Sequence, residues 1–303
     1  MFATLFGGLP RPPLEADAPV EVLVEGAVRA QQDAGLEPIG DGWLRADPPS
    51  VAGWESTARL TTLAVKQAVV GPFTAAQDAG AGEPAAADHA TQLNRLLRDL
   101  AAAGCPMVEV HEPAAIRIRT DEIERARFRE LHKRLLDGVA GLHLSLVITG
   151  GNADAAGMET LLAAPYNSLG VDLIAGPDNW RLVAGTPGDI GVVCGALSAT
   201  SDSFDGPETL LWAAGYAASI NGRGPDRVGL ATASALAHLS WDDAVAKLRR
   251  LGAALRLATG PLDERVRAMD PRAVSSRAAA LGTVETRASE PADGPADRPA
   301  DAT

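Results

Sequence analysis

Met107-Val-Glu-Val-His-Glu-Pro113 is the stretch that decides the fold. Val108 and Val110 alternate with Glu109 and His111 at the period of two of a β-strand, and Pro113, with no amide N–H, cannot continue a hydrogen-bond ladder. Gly104 and Pro106 precede the run and a helical pattern follows it, so the unit reads helix, strand, loop, helix. That is the grammar of a parallel α/β fold. Such folds carry their chemistry at the C-terminal ends of the strands, which makes His111 and Glu112 the first candidates for acid–base work.

Working outward, the same unit recurs. Apolar runs at Ala3–Phe6, Leu36–Ile39, Gln67–Val70, His143–Ile148, Gly170–Ala175, Ile190–Val193 and Arg227–Ala231 each stop at a Gly-, Pro- or Asp-containing turn. Helical patterns separate them, at about 19–34, 54–65, 88–103, 120–137, 158–164, 208–220 and from Trp241 onward. Eight alternations in about 255 residues predict one closed (β/α)8 TIM barrel over residues 1–257. No Gly-x-Gly-x-x-Gly fingerprint follows the first strand, which argues against an open dinucleotide-binding sheet. Residues 258–282 allow one terminal helix. Residues 283–303 alternate Ala, Pro, Asp, Glu and Arg with no apolar face, so a disordered tail is expected.

Composition narrows the function classes. With 303 residues, 46% hydrophobic and 22% charged, the chain can bury one large core. A net charge of -12 and a pI near 4.9 exclude nucleic acid and anionic membrane as natural partners, since no basic stripe is present to neutralise phosphates. No apolar run approaches the roughly 18 residues of a membrane span. Met1-Phe-Ala-Thr-Leu-Phe-Gly7 lacks the basic start of a secretion signal, so a cytoplasmic location is expected. Cys105 and Cys194 sit beside apolar strand patterns and read as buried thiols.

Four motifs carry a family resemblance. Thr4-Leu-Phe-Gly7-Gly8-Leu-Pro10, Gly71-Pro72-x-Thr74, Glu112-Pro113 and Gly151-Asn152 resemble, in order and spacing, the catalytic barrel of cobalamin-independent methionine synthase, which belongs with the uroporphyrinogen decarboxylase-like barrels. The resemblance implies a TIM barrel and a thiol methyltransferase that takes a methyl group from folate. It also implies zinc held by a His-x-Cys after strand five, a Glu after strand six and a Cys after strand eight. At those positions this chain carries Val147 and Thr149, the stretch Ala175-Gly176-Pro177, and the stretch Ala231-Thr232-Ala233. None of these can hold zinc, so no metal ligand and no cofactor is predicted, with folate retained as a candidate substrate. The family's Asp-Glu-Pro is His111-Glu112-Pro113, and the serine of its first loop is Gly8. The implied function is therefore a methionine synthase-like barrel protein with a degenerate zinc site. Two alternatives stand beside it: a non-catalytic pterin or small-molecule binding protein or partner subunit, and a metal-independent decarboxylase or lyase.

A small-molecule ligand is expected at the C-terminal mouth of the barrel. His111 suits proton transfer near neutral pH, and the plainer reading is that it fills the place of the family's aspartate. His111 and Glu112 point to opposite faces of the strand, so they face the same ligand only if the backbone turns. Asp41 beside Trp43 offers a polar group next to an aromatic wall, although a loop tryptophan is more often packing. Thr74 and Asn152 can line a pocket or simply shape turns. Arg11 can meet a carboxylate or form a surface ion pair. Gly8 completes the expected substrate-binding set.

Overall fold

The computed structural model describes residues 1–45, 48–80, 82–200 and 206–270. The chain divides into two units, Met1–Gly260 and Pro261–Thr303. The second contributes one described element, the exposed helix Leu262–Ala268. Residues 283–303, where the sequence predicts disorder, lie outside the described residues, as do residues 271–282.

The first unit is built on seven parallel strands: β1 (Phe2–Thr4), β2 (Lys66–Val70), β3 (Met107–His111), β4 (His143–Ile148), β5 (Ser168–Asp172), β6 (Gly191–Leu197) and β7 (Val228–Thr232). Their order is β1-β7-β6-β5-β4-β3-β2, one curled sheet in which every pair is parallel. Outside the sheet lie α1 (Val20–Ala34), α2 (Val51–Ala58), α3 (Pro72–Ala79), α4 (Glu83–Ala102), α5 (Glu122–Leu136), α6 (Met158–Leu161), α7 (Trp180–Gly185), α8 (Pro207–Ser219) and α9 (Trp241–Thr259). The periodic apolar residues of α4 (Leu93, Leu97, Leu100) and of α9 (Leu248, Leu251) are buried, as the 3.6-residue repeat requires. Ser50, Asp121 and Ser240 cap α2, α5 and α9 with side-chain oxygens.

The expected closed eight-stranded barrel is thus corrected to a seven-stranded half-barrel. The run Leu36–Ile39 is the missing strand. It forms only isolated bridges, antiparallel between Ala3 and Glu37 and parallel between Ile39 and Val65. Pro38 has no N–H to give to a ladder, and the segment is too short to make up the loss. Two further expectations shift. The first helix after this segment starts at Val51 and ends at Ala58, and α3 begins directly at Pro72, where the sequence reads only as a stop.

Strand alternation divides the side chains between the helix-facing layer and the inside of the curl. Val108, Val110, Leu144 and Leu146 join the main core beneath the helices. Phe6, Val147, Val193 and Ala231 form a separate buried cluster inside the curl, with Phe2 packed against it. Glycines on β5 and β7 make room for the two rings. A Cβ added at Gly170 would come within 2.5 Å of the Phe6 ring, and one at Gly229 within 2.5 Å of the Phe2 ring. Gly170→Ala is therefore expected to destabilise the fold by about 1–3 kcal/mol through overpacking. Urea denaturation should show that adding Phe6→Leu recovers part of the loss; an unchanged midpoint for Gly170→Ala would refute the packing described.

Candidate site at the C-terminal end of the sheet

The alternation read from the sequence of β3 carries Glu109 and His111 into the curl, both buried. Lys66, at the start of β2, meets them there. Its ammonium donates to Glu109 Oε1 at 2.7 Å, to Thr4 Oγ1 at 2.6 Å and to the Leu5 carbonyl at 2.6 Å. All three ammonium protons are thus engaged. His111 Nε2 lies 3.1 Å from the other Glu109 oxygen. Burial would raise the Glu109 carboxyl, but the Lys66 charge and His111 outweigh it and hold Glu109 below the ordinary carboxylate range. Burial lowers Lys66, and the Glu109 charge opposes that shift. The geometry is that of a buried ion pair with an imidazole attached to its outer end.

His111 is roofed by aromatic rings. Trp43 meets it edge-on at 5.1 Å between ring centres, and Phe6 at 6.4 Å. Trp43 is 41% exposed and is held by a tight turn in which its amide donates to Asp41 Oδ1 at 2.9 Å. Its φ of 55° lies in the left-handed region, which a bulky residue occupies only when its surroundings impose it. Gly8 backs the same turn, since a Cβ there would approach the Gly42 carbonyl at 3.2 Å and the Trp43 Cβ at 3.3 Å. The space enclosed between Asp41, Trp43, Lys66 and Glu109 is about 10 Å³, room for no more than one water.

The remaining candidates lie apart from His111. Glu112 is fully buried on the helix side and accepts from the Phe73 amide at 3.0 Å and the Thr74 amide at 2.6 Å, so its carboxylate sits on the N-terminus of α3. His132 Nε2 lies 3.0 Å from the same carboxylate, and its Nδ1 reaches Tyr166 Oη at 2.6 Å. Burial, with the Glu112 charge behind it, pushes the Tyr166 phenol well above its usual range. Thr74 accepts from the Ala114 amide through its hydroxyl. Asn152 exchanges two hydrogen bonds with Asp178, tying neighbouring loops. Arg11 donates to the carbonyls of Glu15 and Ala16 in its own loop. The structure therefore gathers His111, Trp43, Asp41 and Gly8 at one place and leaves Glu112, Thr74, Asn152 and Arg11 elsewhere. Sequence reasoning missed Lys66 and Glu109. The period-two placement of Glu109 was visible, but Lys66 precedes the run read as a strand, and a Lys and a Glu 43 positions apart give no sign of pairing.

The family's zinc does not fit these residues. Val147, where the resemblance implies the first ligand, is buried in the apolar cluster with Phe6, Val193 and Ala231. Cys194 points to the opposite side of its strand, where its thiol lies 3.9 Å from the Ala213 carbonyl of α8, and burial pushes it up to about 12. It cannot converge with His111. Among the described residues, no group of three or more His, Cys, Asp and Glu could hold a metal ion.

No protein-family model and no curated protein matches the sequence. Solved structures do share the fold. A B12-independent methionine synthase from a Shewanella species, solved with selenomethionine, superposes with a TM-score of 0.69 at 16% identity, covering 84% of this chain and 96% of that one. A Listeria monocytogenes protein described provisionally as a B12-independent methionine synthase gives 0.65 at 13%, with 86% and 98% covered. A methyltransferase from Methanosarcina mazei gives 0.55 at 13%, with 84% and 92% covered. The fold of this chain is the one those proteins share.

Two outcomes test the geometry. Glu112→Gln places an amide against the α3 amides and is expected to cost about 2–4 kcal/mol of stability, measured by urea denaturation. Lys66→Met leaves Glu109 buried without its partner and should cost about 3–5 kcal/mol, with Lys66→Met/Glu109→Leu less damaging than the single change. Because the folded Glu109 is depressed below its unfolded value, its contribution is present above the unfolded carboxylate range and is lost as pH falls through the folded one. Stability of the double variant should accordingly fall less steeply on acidification below about pH 4.5.

Proposed function

We propose that this chain is a methionine synthase-like barrel protein that has exchanged the family's zinc chemistry for a protein-only site, and that it binds a small organic molecule at the C-terminal end of its sheet, where Trp43 covers His111. The observation that carries the reading is the apolar cluster of Phe6, Val147, Val193 and Ala231, which occupies the place where the resemblance implies metal ligands. In the family, zinc lowers the pKa of a substrate thiol so that its thiolate can attack a folate methyl group. Without that charge a thiol keeps a pKa near about 8.5 and is only a few per cent ionised at neutral pH, so zinc-dependent methionine formation has no support from these residues.

A second reading draws on the Glu109–His111 contact. A carboxylate fixing one imidazole nitrogen is the arrangement that orients a histidine for general acid or base work, and Lys66 keeps that carboxylate ionised. A metal-independent lyase or decarboxylase would use His111 in this way. Folates remain candidate ligands under both readings, with no nucleic acid or membrane as partner. No described helix is long and apolar enough to cross a membrane.

Protein purified without chelator is expected to carry well under one zinc per chain and to form no methionine from homocysteine and methyltetrahydrofolate. About one zinc per chain, lost on His111→Ala, would overturn the reading and restore the methyltransferase. A thermal-shift screen with folates, thiols and tetrapyrroles identifies the ligand, since binding to the native state alone raises the melting point.

A further inference from the structure

The strand that fails to form at residues 36–39 leaves β2 with an open edge. Along a strand, alternate residues direct their amide and carbonyl to the same side. Gly71, continuing β2, donates to the His111 carbonyl, so the odd-numbered residues face β3. Lys66 donates to the Ile39 carbonyl, so the even-numbered residues face the other way. Beyond that one bridge, Ala68 and Val70 have no strand beside them. Among the described residues nothing accepts from the Ala68 amide, and the Ala68 carbonyl receives only the Gln67 side chain at 2.9 Å.

This edge lines a cleft of about 530 Å³. Trp43 and Asp41 border it on one side, Pro48 and Ala52 on another, and Leu93 of α4 closes it. The volume falls within the roughly 300–1,000 Å³ of small-molecule sites. The walls are mostly apolar, and their one guanidinium is already neutralised. Arg45 is bound by both Glu21 oxygens at 3.0 and 2.8 Å and by Ser56 at 2.6 Å. With Glu21 and Asp41 beside that guanidinium, the walls carry no permanent unpaired positive charge, and His89 is the one other basic side chain among the lining residues.

We propose that this cleft is a ligand site for an uncharged, planar ring compound carrying a lactam edge, an adjacent N–H and C=O, which pairs with the amide and carbonyl of Ala68 and packs beside Trp43. A peptide strand is the poorer occupant. The free edge runs only from Ala68 to Val70, because Lys66 is taken by Ile39 and Gly71 leads directly into α3. Strand addition needs a longer row of backbone groups. The site stands on the edge of β2 and does not depend on whether a ligand also reaches His111.

The test uses carbostyril, a neutral bicyclic lactam, with its N-methyl derivative, naphthoate and a valine–threonine hexapeptide as comparisons. In ¹H–¹⁵N spectra of the full chain, carbostyril should shift the Ala68 and Val70 amides saturably, N-methylation should weaken binding about tenfold or more, and naphthoate should leave both amides unmoved. Ala52→Trp, on the exposed wall of α2, should abolish the shifts while the melting temperature stays near that of the parent. Equal binding of carbostyril and its N-methyl derivative would overturn the proposal, as would a response to the hexapeptide alone, or the absence of any shift at millimolar carbostyril. Stoichiometric zinc would sink the reading under Proposed function and leave this one standing, so the two fail independently.

Discussion

Lys66 is the side chain on which the inside of this molecule depends. β1 and β2 are the two ends of the sheet, and among the described residues only the isolated bridges of Glu37 to Ala3 and of Ile39 to Val65 lie between them. The Lys66 ammonium spans that gap from within, reaching Thr4 and Leu5 at the β1 end while it neutralises Glu109 on β3. A buried ammonium and a buried carboxylate are each costly alone; together, with every proton placed, they become tolerable, and neither can be removed singly without stranding the other. His111 follows from the same pair, since Glu109 fixes one of its nitrogens.

Around this pair the interior is divided. One side is charged and belongs to β2 and β3. The other is filled by Phe2 and Phe6 lying against the glycines of β5 and β7, together with Val147 and Val193. A zinc site needs several ionised ligands converging on one point with room for an exchangeable position. The apolar half offers one buried carboxylate, Asp172, which already accepts from the Gly150, Ile174 and Ala175 amides, and the charged half is already neutral within itself. The charged half presents a histidine, a carboxylate held ionised by Lys66, and a tryptophan roof.

Much of the fold could be read in advance from punctuation and period. The alternation of Val108, Glu109, Val110 and His111 assigned β3 and its two faces correctly. The second expected strand, at residues 36–39, was misread because those residues carry an apolar pattern, whereas strand formation also needs amides to donate, and Pro38 supplies none. The candidate site was legible in part. His111, Trp43, Asp41 and Gly8 do meet, because turns after neighbouring strands in a parallel sheet share one end. Glu112 lies apart from that group. Its position beside His111 invited a shared role, but successive strand side chains diverge, and its carboxylate went to the N-terminus of α3, a helix that the sequence concealed behind Pro72. The Lys66–Glu109 contact is a long-range pairing, and such contacts leave no local pattern in a single sequence.

Amide hydrogen exchange on Lys66→Met/Glu109→Leu, compared with the parent protein, tests the central claim most directly, because the double variant removes the tie without leaving a stranded charge. If the ion pair holds the two ends of the sheet, amides of β1 and β2 should lose protection strongly while those of β4, β5 and β6 change little. A uniform loss across all seven strands, or no loss at β1 and β2, would contradict it.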